Sequence, residues 1–99
     1  MKLKRGQIRP QADLDLHGMT VEAAVKALAR FVSDCRMQST RCVRVIHGKG
    51  FGSPRGEARV RPAVASWLGS CPEVVAYCPA QPRDGGAGAT YVLLKLEPG

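Results

Sequence analysis

Aromatic residues are scarce in this chain: one Trp, two Tyr and two Phe make up 5% of its 99 residues. A surface that holds single strands mainly by base stacking needs more of them. Long apolar runs are missing as well, and nothing approaches the ~20 residues of a membrane-spanning helix. Lys2, Lys4 and Arg5 resemble the basic start of a signal peptide, but polar Gln11-Ala12-Asp13-Leu14-Asp15 stands where its hydrophobic stretch should follow. No C-x-x-C pair occurs among Cys35, Cys42, Cys71 and Cys78, which argues against zinc. Set among apolar neighbours, these cysteines read as small core residues in a reducing compartment. A cytoplasmic chain is expected. Acidic residues are outnumbered, 8 against 15 Lys+Arg, for a net charge of +7. On so small a surface that excess favours a polyanion, nucleic acid before membrane. A secreted disulfide scaffold, a membrane protein and a multidomain enzyme are thereby excluded.

What remains is one domain's worth of chain with ordinary globular composition, 44% hydrophobic and 23% charged. Residues 1–12 are polar, basic and unpatterned, and read as a loose tail before a single domain over 13–97. Residues 13–17 alternate polar and apolar as a half-buried strand does. Thr20 then caps a helix over 21–37, in which Val21, Ala24, Val25, Leu28, Phe31, Val32 and Cys35 make one apolar face. A strand over 41–46 leads through a glycine-rich loop to a second helix around 57–68. Pro62 suits only a first turn, so its regular part is expected to begin nearer Arg59. Strands over 73–78 and 89–95 follow, separated by a long loop over 79–88. The order β-α-β-α-β-β predicts a two-layer α/β sandwich, a mixed four-stranded sheet under two helices, its crossovers right-handed.

The chemistry concentrates where these strands end. Leu16-His17-Gly18 and Ile46-His47-Gly48 close two strands in the same way, and they hold the only two histidines. In an open α/β sheet, ligands bind at the carboxyl ends of the parallel strands. Eight of the eleven glycines (Gly18, Gly48, Gly50, Gly52, Gly56, Gly85, Gly86, Gly88) fall in three loops at that edge, where glycine lets backbone N–H groups turn toward an anion. The G-x-x-x-x-G-K-[ST] spacing is absent, which disfavours nucleoside triphosphates. Lys49, Arg55, Arg59, Arg61 and Arg83 stand in these segments against Glu57 and Asp84, a balance suited to phosphate contacts. Asp13 and Asp15 share a strand face with His17, so Asp15 can orient the imidazole or ligate a divalent cation.

Leu14-Asp15-Leu16-His17-Gly18, His47-Gly48-Lys49-Gly50-Phe51-Gly52, the helix from Arg61 through Trp67-Leu68, and Gly85-Gly86-Ala87-Gly88-Ala89-Thr90 resemble, in that order, the small MutS-related (Smr) domain. The resemblance implies a βαβαββ fold like the C-terminal domain of translation initiation factor three. It also implies endonuclease activity, on branched or duplex DNA for some members and on mRNA, including mRNA on stalled ribosomes, for others. Nucleic acid, and for some members the ribosome, are the partners it implies. Its D-x-H motif, tied to cleavage, falls on Asp15 and His17. Its H-G-x-G loop, tied to substrate binding, falls on His47, Gly48, Lys49 and Gly50.

The expected activity is therefore an endonuclease, RNA somewhat favoured because its 2′-OH can attack the neighbouring phosphate. His17, oriented by Asp15, would move the proton, with His47 as its partner or as a stabiliser of the developing charge. Lys49, loop N–H groups and Gly85, Gly86 and Gly88 would hold phosphate. DNA would need water as nucleophile, and with it Mg²⁺ on Asp15. The alternative is a monomeric module that binds nucleic-acid structures in DNA repair or recombination, or at ribosomes, without cutting.

Overall fold

The structure is a computed structural model and describes residues 8–49 and 55–96, with 55–58 described by backbone alone. Strand β1 (Ala12–Asp15), helix α1 (Val21–Met37), strand β2 (Cys42–Ile46), helix α2 (Arg55–Ser70), strand β3 (Val74–Pro79) and strand β4 (Ala89–Leu94) follow one another in the expected order. The loop between β3 and β4 carries two short 3-10 turns, Pro82–Asp84 and Gly86–Gly88.

Helix α1 forms for reasons readable in its sequence. The Thr20 hydroxyl accepts from the Ala23 N–H at 3.2 Å, Glu22 and Arg36 complement the two ends of the dipole, and Ala24, Leu28, Val32 and Cys35 are buried along one face. Its carboxyl end closes with Thr40 N–H donating to Cys35 O and Ser39 N–H donating to Arg36 O, and it places Ser39 at φ +58°. That left-handed position usually belongs to glycine. Ser39→Gly is expected to stabilise the domain by about 0.5–1 kcal/mol, the left-handed strain relieved minus the extra freedom of an unfolded glycine. Thermal melting should show it as a rise of roughly 2–8 °C. An unchanged or lower midpoint would refute it.

Helix α2 departs from expectation. It starts at Arg55, so Pro62 lies inside it and not in the first turn. The ring is exposed while Val60, Val64 and Leu68 point inward, so the hydrogen bond that proline deletes is lost on the solvated side of the helix.

The sheet order is β1-β2-β4-β3, with β1 and β2 parallel and β4 antiparallel to both of its neighbours. The chain's last strand is thus inserted between β2 and β3, and β1, β2 and β3 all run the same way, so their carboxyl ends share one edge. Alternation sorts the side chains. Leu14, Val43, Val45, Val92 and Leu94 join the cluster made with both helices, while Cys42, Ile46, Ala89, Tyr91, Leu93 and Cys78 form a second cluster on the opposite face. Both helices therefore cover one face.

Residues 8–12 are held more firmly than a loose tail. Ile8 packs on the second cluster, Gln11 N–H donates to Cys42 O at 2.8 Å, and the Gln11 side-chain oxygen accepts from the N–H groups of Arg41 and Cys42. Residues 1–7 lie outside the described residues. All four cysteines are free thiols, with Cys35, Cys42 and Cys78 buried.

Candidate active site

The site assembles where β1 and β2 end side by side. Leu16 N–H continues the ladder to Ile46 O at 2.6 Å, and the chain then turns at Gly18, whose φ is +79°. The turn brings His17 back over Asp15. One carboxylate oxygen of Asp15 accepts from the His17 backbone N–H at 3.0 Å and lies 2.6 Å from the ring Nδ1. These two bonds, the ring's first, hold the Asp15 carboxyl below the usual carboxylate range. A carboxylate at Nδ1 makes that nitrogen the protonated one, so Nε2 of the neutral ring is the basic atom. Both side chains are more than half exposed, 65% for His17 and 52% for Asp15, on the face that the helices leave uncovered. A substrate can reach this pair directly.

The second histidine has a different place. His47 is 1% exposed on the helix side of the sheet, with Nδ1 2.9 Å from Gly48 O and Nε2 2.9 Å from the Thr90 hydroxyl. Burial first, and the nearby Arg61 charge after it, push its pKa down. The ring is therefore neutral at pH 7, Nδ1 donates to the carbonyl, and Nε2 accepts from Thr90. This corrects the expectation that His47 shares the proton transfer: its parity along β2 matches Val43 and Val45, which turns it into the core. It fixes the loop instead.

The glycine loops need a similar correction. His47 N–H and Gly48 N–H both donate to Gly88 O, at 3.1 and 3.0 Å, which ties the end of β2 to the β3–β4 loop. Within that loop Gly85 N–H donates to Pro82 O, Gly86 N–H to Gln81 O and Gly88 N–H to Gly85 O. None of these amides is turned toward an anion. The glycines serve shape: Gly48 and Gly85 take φ of +86° and +111°, and a Cβ on Gly88 would come within 3.1 Å of the Lys49 side chain. Among the cationic side chains expected to meet phosphate, Lys49, Arg59, Arg61 and Arg83 are all exposed. Gly50 and the Arg55 side chain lie outside the described residues. Among the described residues no three His, Cys, Asp or Glu groups gather as a metal site, and no helix is long and apolar enough to cross a membrane.

With the geometry of this edge described, comparison with known proteins places the chain in a family. The family model described as the Smr domain matches residues 14–95. The chain belongs to the Smr domain family. It is 39% identical over 94 residues to the Escherichia coli K12 protein named "Probable DNA endonuclease SmrA", covering 95% of this chain and 50% of the relative. It is 36% identical over 94 residues to "Ribosome rescue factor SmrB" of Tolumonas auensis, covering 95% of this chain and 51% of that protein. The chain thus spans about half the length of these curated relatives. The crystal structure of YdaL, a stand-alone small MutS-related protein from Escherichia coli, superposes with a TM-score of 0.82 at 39% identity, covering 93% of this chain and 71% of that one.

One feature of this Smr domain was not anticipated as part of the site. Arg44 grips Asp13 with Nε and Nη2, both at 2.9 Å, and donates from Nη1 to Asp84 O at 3.1 Å. The buried Tyr91 hydroxyl donates to the Asp84 carboxylate and accepts from Gln81 N–H. Burial, then the bond to Asp84, raises the Tyr91 pKa, and Asp13 raises that of Arg44. This row clamps the β3–β4 loop to the open face and so holds Gly88 where the β2 loop needs it. A charged Arg44 between Cys42 and Ile46 on an otherwise apolar strand face was the available signal.

Proposed function

We propose that this Smr domain cleaves phosphodiester bonds in nucleic acid, RNA in preference to DNA, with His17 as the proton acceptor and Asp15 as its orienting group. The observation that carries the reading is the exposed Asp15–His17 pair at the shared strand edge, 2.6 Å apart. Nε2 of His17 takes the proton from a ribose 2′-OH, the 2′ oxygen attacks phosphorus, and the P–O5′ bond breaks as the 5′ oxygen gains a proton from water. The products are a 2′,3′-cyclic phosphate and a 5′-OH. Asp15 stabilises the imidazolium so formed, and Lys49 sits to offset charge on the phosphate. The relatives named for DNA cleavage and for ribosome rescue support a nucleic-acid substrate, with the ribosome as the setting for the latter. DNA would require an attacking water and Mg²⁺, for which Asp15 offers one carboxylate and the substrate's phosphate oxygens the rest.

A second reading is a module that binds without cutting. What favours it is the burial of His47, which leaves the edge with one histidine only. One assay separates the two. Single-stranded RNA, duplex DNA and branched DNA are incubated with the protein in Mg²⁺ and in EDTA. RNA cut in EDTA to a cyclic-phosphate end is the expected result. Mg²⁺-dependent nicking of DNA would transfer the substrate to DNA. Salt-sensitive binding, with a log–log slope of about −0.7 per phosphate on single strands and no product, would leave the binding module.

A further inference from the structure

Behind His47 lies a cleft of about 150 Å³, open to solvent, between α2 and the β3–β4 side of the sheet, lined by Arg61, Ala65, Tyr77, Cys78, Pro79 and Thr90. Three observations say what would occupy it. Among the described aromatic side chains, Tyr77 alone is exposed, at 40%; Phe31 and Trp67 pack against the core and Tyr91 is fully buried. Tyr77 leans over α2, its hydroxyl 3.1 Å from where a Cβ on Gly69 would stand, so the ring is supported from one side by a residue with no side chain. Arg61 is exposed and no described residue lining the cleft is acidic, so its guanidinium offers a cationic plane there that suits a nucleobase. The cleft also adjoins the loop that closes β2, because Thr90 bonds His47, whose Nδ1 bonds Gly48 beside Lys49. With its proton directed to Nε2, the Thr90 oxygen retains acceptor capacity, which fits a base N–H.

We propose that this cleft seats one unpaired base of the nucleic-acid strand, Tyr77 and Arg61 supplying its stacking surfaces, and that the domain thereby favours strands with an unpaired nucleotide near the cut over continuous duplex. The inference rests on the nucleic-acid reading above and adds to it the class of strand. A base held in a duplex has both faces covered and cannot enter, whereas an unpaired one presents them to an aromatic ring and a guanidinium.

The test uses 2′-O-methyl RNA, which lacks the attacking hydroxyl, carrying a 2-aminopurine as its probe base, both single-stranded and in a blunt duplex. Wild type is expected to quench the probe in the single strand. Tyr77→Ala is expected to abolish the quench and weaken single-strand binding by roughly 5- to 150-fold. Tyr77→Phe keeps both, and blunt-duplex affinity is the same for all three. Arg61→Ala, at an exposed position that does not disturb packing, weakens single-strand binding in the same direction, and melting curves certify that each variant folds. A wild type that binds single strands in a salt-dependent way while Tyr77→Ala binds and quenches equally well overturns the cleft and leaves the nucleic-acid reading standing. Equal losses on single strand and duplex overturn the selectivity. A wild type that binds neither overturns both.

Discussion

Replacing His17 by alanine is expected to slow strand cleavage by roughly 10²- to 10⁴-fold while changing affinity for uncleaved strand by less than about twofold. The expectation follows from position. The imidazole sits at the exposed end of β1 and its nearest partner is the Asp15 carboxylate, so removing it takes away a proton acceptor and one exposed ring, not a buried contact. In the proposed function, phosphate grip belongs to other exposed side chains, chiefly Lys49 and Arg59. The rate loss corresponds to about 2.7–5.4 kcal/mol of transition-state stabilisation, the range that positioned general bases contribute. Asp15→Asn should give a smaller loss of the same kind, because an amide no longer stabilises the imidazolium and can select the wrong tautomer. Single-turnover kinetics beside a direct binding measurement decide the matter. Equal falls in rate and affinity would remove His17 from the chemistry.

The second large effect belongs to His47, and it concerns stability. His47→Leu keeps most of the volume but leaves the Thr90 hydroxyl and Gly48 carbonyl without the ring that bonds them, at a cost of about 2–4 kcal/mol measured by urea unfolding. Its pH dependence carries a sign. Burial holds the folded pKa of His47 below its unfolded value near 6.5, so the unfolded chain binds the proton more readily. Stability from this group is therefore full above pH ~6.5 and falls as the pH drops below it, by at most about 1.4 kcal/mol per pH unit, until the folded pKa is reached. The gap between wild type and His47→Leu should narrow by that amount between pH 7 and 5. A gap constant over this range would mean that the ring is already charged or hydrated in the folded state.

The two histidines show where reading the sequence succeeds and where it stops. Helix α1 was legible because a capping threonine and a seven-residue apolar face agree. Asp15 and His17 were legible as a pair because residues two apart on a strand share a face. His47 was read as its equal because Leu-His-Gly and Ile-His-Gly look alike in one dimension. What separates them is which face the helices cover, and the alternation of Cys42, Arg44 and Ile46 with Val43 and Val45 could not decide that without the second cluster around Tyr91. The loop amides escaped for a related reason. Glycine signals a backbone free to turn, but it does not say whether the turn offers its N–H groups to a ligand or to Gly88 O and its neighbours. Likewise β4 was legible as a strand, whereas its insertion between β2 and β3 depends on a pairing that spans about half the chain, Cys42 opposite Leu93.

That insertion has a bearing on how the domain is made. During synthesis, β1, α1 and β2 emerge first and can pair at once, but β3 pairs only with β4. Until residues 89–94 have left the ribosome, β3 has no neighbour, Tyr91 is not there to hold Asp84, and Thr90 is not there to orient His47. The Asp15–His17 contact spans two residues of one strand end, whereas the loop beside it depends on contacts from the last strand. If the proposed function holds, the surface that would hold a substrate is therefore completed only after the Asp15–His17 stretch has been made.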